Sequence, residues 1–216
     1  MNILKSGYLI SSLEGNEEVF KSVSINMPSS YQLKEYGTVY NQGNTPYCAP
    51  FVIKTIVETQ YNIFKTTKHS INIDEIDLYS KRNTKISNEG MSPKDCFEIL
   101  KNIGVKAKSN ITKNKIVKIL RYEKLNTLDD IIQAIFLNGP IFLALKVKDS
   151  NNFVEFWKGE KVIGGHAIAA IGWNNQGIIL KNSYGIEWGD NGLYLINYDD
   201  FNDSLLEAWT CETILD

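Results

Sequence analysis

The chain has 216 residues, 43% of them hydrophobic and 22% charged, with a formal net charge of −2. That is enough for one domain, or two tightly associated lobes, around a substantial core. The charges alternate in sign without a basic stripe or long acidic run, which leaves no footprint for nucleic acid or an anionic membrane, and three cysteines cannot build a disulfide framework.

Residues 1–14 lack a basic start followed by an unbroken apolar stretch, so no signal peptide is expected, and no segment is long enough to span a membrane. Alternation in Tyr8-Leu9-Ile10 and from Val19 to Ile25 suggests strands added to the body, with a short autoinhibitory strip as the second reading of residues 1–26. After Cys48, apolar residues at Phe51, Val52, Ile56 and Val57 predict a long helix from Ala49 to about Thr66, with Pro50 in its first turn. His69 falls in a polar loop and is expected to be exposed. Residues 70–80 read as a short helix entered through Asn72 or Asp74, and Lys94–Gly104 as an amphipathic helix closed by glycine. Cys96 lies on that helix's apolar side and, like Cys211, reads as a buried small hydrophobe.

Residues 116–122 fit a strand or a helix equally. Thr127 caps an acidic first turn with helical spacing to Phe136, and Ile141–Val147 follows Asn138-Gly139-Pro140 as a buried strand. A further buried strand carries His166 at its start, in Gly164-Gly165-His166-Ala167-Ile168-Ala169-Ala170-Ile171-Gly172-Trp173. Asn182 follows a short apolar strand, Ile178–Leu180.

These positions combine into chemistry. A thiol at the start of a helix feels the positive end of the macrodipole, which favours the nucleophilic thiolate. Such a thiolate needs an imidazole partner, and the chain has two histidines. Cysteine, histidine and asparagine in this order make a nucleophile, base and orienter set.

The motifs resemble those of the papain family of cysteine proteases. Gln42-Gly43 with Cys48, the strand from His166 to Trp173, and Lys181-Asn182-Ser183-Tyr184-Gly185 with Trp188-Gly189-Asp190-Asn191-Gly192 match its three signature segments in order. The similarity covers about residues 27 to 210. It implies an α+β, two-lobe fold: a helical lobe with the long central helix (about 42–124), an antiparallel barrel-like β lobe (125–216), and an active-site cleft between them, preceded by an extension at 1–26. Asn44 to Pro46 stand where disulfide-bonded secreted members place a paired cysteine, which favours a reducing, cytoplasmic setting.

By this resemblance Cys48 attacks a peptide carbonyl and His166 passes the proton to the leaving group. Asn182 then orients the imidazole, while Gln42 and the Cys48 N–H hold the oxyanion. Gly90 and Met91 correspond to the turn along which substrate backbone lies. Ala167 and the Ile141–Leu145 strand suggest an apolar pocket for the second residue before the cut, and Trp188 is expected over the His–Asn contact. The implied partner is a polypeptide substrate, with no cofactor and no metal. Departures are Ala49 after the nucleophile, Pro46-Tyr47 before it, and Tyr184 where the family has tryptophan. An acyl-thioester transferase or deamidase on the same fold, and a non-catalytic peptide-binding module, are the alternatives.

Overall fold

The computed structural model describes residues 7–64, 70–84, 86, 89–109 and 115–215. His69 lies outside them. In chain order the elements are β1 (Tyr31–Gln32), α1 (Cys48–Phe64), β2 (Ile71–Ile73), α2 (Glu75–Ser80), α3 (Pro93–Glu98), β3 (Val105–Ser109), β4 (Lys115–Val117), β5 (Ile119–Lys124), α4 (Leu128–Asn138), β6 (Ile141–Lys148), β7 (Val162–Trp173), β8 (Gly177–Lys181), β9 (Leu193–Asn197), α5 (Tyr198–Ser204) and β10 (Leu205–Thr213). A π-helical turn over Ile99–Ile103 extends α3.

Two antiparallel sheets flank α1. The smaller has the order β2-β3-β4; the larger runs β5-β10-β6-β7-β8-β9, with β1 added along β7. The larger sheet does not close on itself, so the β lobe is an open sheet rather than a complete barrel. It also takes in β5, which pairs with β10.

The unbroken apolar runs of β6 and β7 follow from burial on both faces. Because alternate side chains point to opposite sides, Phe142, Ala144, Ala167 and Ala169 face the core built around α1. Ile141, Leu143, Leu145, Ile168 and Ala170 face a second core with Trp157, Trp188 and α4. The three alanines on the α1 side have no bulk to hold the helix away. His166, two positions before Ile168, shares that residue's face, whereas Ala167 points toward α1.

Burial on almost every side forces α1 to find partners for its polar side chains. Lys54 Nζ donates to Asn72 Oδ1, to the Ile73 carbonyl and to Glu75. Glu58 accepts from the Ile73 N–H and the Tyr40 hydroxyl. Gln60 reaches the other lobe, donating to the Asn138 and Cys211 carbonyls at 2.8 and 2.7 Å and accepting from the Thr213 N–H and hydroxyl.

Several expectations hold and others shift. Thr127 and Asp130 form a capping box on α4. Asp74 caps α2, but residues 71–73 ahead of it pair with β3 as a strand instead of joining the helix. The undecided stretch at 116–122 is β4 and β5. His166 sits inside β7, four residues past its start, rather than at an end. Cys48, Cys96 and Cys211 are all free and buried. Among the described residues no helix is long and apolar enough to cross a membrane.

Residues 7–26 form no regular strand; isolated parallel bridges join Tyr8 to Met91 and Val19 to Lys124. The segment is fastened as a strap. Lys94 Nζ donates to the Ser12 carbonyl and pairs with Glu17, the Lys124 N–H donates to the Glu18 carbonyl, and Gln133 accepts from the Val23 N–H. The strands expected from the alternation at Tyr8–Ile10 and Val19–Ile25 are reduced to these isolated bridges.

Gln60→Leu removes donors and acceptors on which buried backbone of two elements depends. At about 1–3 kcal/mol for a buried group left unpaired, it is expected to lower the urea unfolding free energy by at least that much. An unchanged midpoint would show that the seam relaxes without Gln60.

Candidate active site

The loop before α1 turns so that the Phe51 N–H donates to the Tyr47 carbonyl at 3.0 Å, opening the first helical turn at Cys48. The Cys48 side chain is 0% exposed. Its sulfur faces backbone N–H groups of Ala167, Ala49 and Gly7 as well as its own. Burial outweighs these donors, and the thiol is pushed up to about 11. Contact with Ala167 places the sulfur beside the residue that follows His166.

His166 is fully buried. Its Nε2 lies 2.8 Å from Asn182 Oδ1, and Nδ1 lies 3.1 Å from the Tyr184 hydroxyl. The imidazole stacks on the Tyr184 ring, with centroids 4.7 Å apart and planes at 22°, and meets the Phe156 ring edge-on at 5.2 Å. Burial lowers its pKa to about 4, the hydrogen bond to Asn182 opposing that shift. No hydrogen bond among the described residues joins Cys48 Sγ to the ring. Thiol and imidazole are therefore both neutral at pH 7 in this arrangement.

Gln42 is tied to the same segment as Asn182. Its N–H donates to the Ser183 carbonyl at 2.8 Å, its Oε1 accepts from the Ser183 hydroxyl at 2.6 Å, and its Nε2 donates to the Thr45 carbonyl at 2.8 Å. The Thr45 carbonyl, which can only accept, fixes which end of the Gln42 amide is the donor, and the other end is held by Ser183. No local signal marks this role, although Ser183 stands inside the Lys181-Asn182-Ser183-Tyr184-Gly185 motif.

Trp188 is 1% exposed and packs in the β-lobe core, its Nε1 donating to the Phe153 carbonyl at 3.2 Å. The rings that contact the imidazole are those of Tyr184 and Phe156.

Gly90, Met91 and Ala167 line the place where the strap crosses. The Met91 N–H donates to the Gly7 carbonyl at 3.0 Å and the Leu9 N–H to the Met91 carbonyl at 3.2 Å. A Cβ on Gly90 would come 2.1 Å from the Gly7 oxygen, and one on Gly7 would come 2.8 Å from Cys48 Sγ. Only glycines allow so close an approach.

The Tyr8 side chain fills a recess beside this crossing. Its ring lies against Gly165, where any Cβ would collide with it at 2.2 Å. The phenol donates to Glu207 Oε1 at 2.5 Å, and the same oxygen accepts from the Ser11 N–H at 2.8 Å. Glu207 Oε2 accepts from Trp209 Nε1 at 2.9 Å. Glu207 was also missed in the sequence; its one signal is an acidic residue inside an otherwise apolar strand start. Among the described residues no group of three or more His, Cys, Asp or Glu side chains could hold a metal ion.

Comparison with known proteins identifies the family and the fold. Residues 27–210 match the family described as papain family cysteine protease. An uncharacterized peptidase C1-like protein of Acanthamoeba polyphaga mimivirus is 32% identical over 124 residues, covering 47% of this chain and 40% of that protein. A gut-specific cysteine proteinase of Caenorhabditis elegans is 35% identical over 80 residues, covering 32% of this chain and 24% of the relative. The matched segments thus span less than half of either relative. Among solved structures, xylellain, a cysteine protease from Xylella fastidiosa, superposes with a TM-score of 0.80 at 15% identity, covering 97% of both chains. The Carica candamarcensis cysteine protease bound to E-64 gives 0.71 at 20% identity, covering 86% of this chain and 99% of that one. With three signature motifs in order, a two-lobe α+β fold and a family match across most of its length, this chain belongs to the papain family of cysteine proteases.

Proposed function

We propose that the chain is a cysteine endopeptidase in which Cys48 is the nucleophile, His166 the base and acid, Asn182 the orienter, and Gln42 with the Cys48 N–H the oxyanion donors. The observation that carries this reading is the hydrogen bond from His166 to Asn182, made on β7 beside a cysteine that opens a helix. In the reaction the thiol proton passes to the imidazole and sulfur bonds to the carbonyl carbon. The imidazolium protonates the amine as the C–N bond breaks; the imidazole then takes a proton from water, whose oxygen bonds to the acyl carbon, and returns it to sulfur as the C–S bond breaks and the acid leaves.

The form described here is closed. Gly7 lies against the sulfur and Tyr8 fills the adjoining recess, so turnover requires residues 7–11 to leave. Water then reaches the pair, the desolvation that keeps both groups neutral is relieved, and the donors around the sulfur favour the thiolate. Tyr8 also points to substrate preference. A recess that takes a large apolar ring and ends at Glu207 suits a bulky apolar body with a terminal donor, tyrosine above all, at the residue bound beside Met91. This refines the purely apolar preference suggested by Met91, Ala167 and the Ile141–Leu145 strand.

Cys48→Ala is expected to abolish both peptide hydrolysis and labelling by a thiol-directed epoxide; full peptidase activity in that variant would end the proposal. Gln42→Ala should lower kcat by roughly 100- to 1,000-fold, as loss of one oxyanion donor does elsewhere.

Tyr8→Ala removes the buried ring and its bond to Glu207, and should raise the rate of Cys48 alkylation by roughly tenfold or more at neutral pH. In the intact chain the rate should keep climbing as pH rises toward the closed-state thiol value of about 11. Equal rates in variant and parent would show that the strap does not limit access.

On a peptide library Glu207→Leu should shift preference from tyrosine to phenylalanine or leucine at the position that fills the Tyr8 recess. An unaltered profile would place substrate elsewhere.

A further inference from the structure

Tyr184 stands where the family pattern has tryptophan, and it carries a hydroxyl that an indole lacks. Asn182 Oδ1 accepts from the Ser183 backbone N–H at 2.8 Å, which identifies that atom as the oxygen, because an amide NH2 would meet another donor there. The same oxygen lies 2.8 Å from His166 Nε2, so Nε2 carries the proton. Nδ1 is then the bare nitrogen, and the Tyr184 hydroxyl 3.1 Å away donates to it. Nδ1 is also the nitrogen left free to accept the thiol proton.

The Tyr184 ring is held in place on several sides. It stacks between His166 and Phe153, whose centroid is 5.2 Å away, and its backbone bridges to Asn41 while the Gly185 N–H donates to the Tyr40 carbonyl at 2.9 Å. Burial keeps the phenol protonated well beyond its ordinary range. Among the described residues the titratable groups near the imidazole are Tyr184, in contact with it, Cys48, whose sulfur faces the Ala167 N–H, and, across Gly165, Tyr8 with Glu207 of β10.

We infer that Tyr184 is a positioning residue for the reaction, whose hydroxyl caps the His166 lone pair and biases the Cys48–His166 pair toward its neutral state. This rests on the proposed role of His166 as base. When the S–H bond breaks and the proton forms a bond to Nδ1, thiolate and imidazolium result and Nδ1 has no lone pair left to accept from Tyr184. The hydroxyl bond therefore exists in the neutral pair and is lost in the ion pair. Its net worth, that of an ordinary hydrogen bond, corresponds to a shift of about fivefold in the equilibrium between them.

Tyr184→Phe keeps the stacked ring and removes one oxygen, and the full chain can be tested in two ways. In iodoacetamide alkylation of Cys48 against pH, with Cys48→Ala as the blank, the variant should react about fivefold faster on the acid limb and its limb should lie at lower pH. Superimposed profiles, or a limb displaced to higher pH, would overturn the inference. Nitrogen NMR of the two histidines gives a readout independent of peptidase activity. The parent should show His166 as the Nε2–H tautomer, and the variant should keep it with the Nδ1 resonance moved downfield by loss of its donor. An Nδ1–H tautomer in the parent, or an unmoved Nδ1 in the variant, would also overturn it. If Cys48 stays unreactive even in the Tyr8→Ala background, the peptidase reading fails while the NMR result still decides the role of Tyr184.

Discussion

A helix enclosed by protein on nearly all sides must bond every polar side chain it carries, and that requirement organises this molecule. Lys54 and Glu58 of α1 are satisfied by the smaller lobe, and Gln60 by the ends of α4 and β10 in the larger one. The helix is thereby locked in rotation and along its axis against both sheets. Since Cys48 is its first residue, the sulfur's position is set by the same bonds. Small residues on the facing strands, Ala144, Ala167 and Ala169, then let the start of the helix come up against the backbone beside His166.

The site is assembled from pieces that each solve a separate problem. Asn182, oriented by the Ser183 N–H, determines which imidazole nitrogen bears a proton, and the Thr45 carbonyl determines which end of the Gln42 amide donates. Tyr184 and Phe156 enclose the ring in aromatic surface. The strap supplies the last wall, and its cost is electrostatic: with water excluded, neither the thiol nor the imidazole is charged. A closed cleft and an uncharged pair are two descriptions of one desolvated state.

Much of this was legible in the residues. The helix at Cys48, the strand carrying His166, the cap at Thr127 and the buried strand after Pro140 each announce themselves through local pattern: spacing, a polar cap, or an apolar run between turn residues. The cysteine, histidine and asparagine could be selected because few residue types can do their chemistry. Glu207 and Ser183 could not, since an acid in a strand or a serine in a turn is common, and only the neighbour across the fold reveals a task. Ile71–Ile73 reads locally as helix because the pairing with β3 that makes it a strand lies more than thirty residues away.

The sequence by itself determined the family and the candidates for nucleophile, base and orienter, because those depend on short-range pattern and on scarce side-chain chemistry. Tertiary structure alone decided where residues 7–11 lie, which nitrogen of His166 is free, and that Tyr8 and Glu207 share a recess. These are contacts between segments distant in the chain, set by shape and by the need of buried polar groups for partners, and no local signal encodes them.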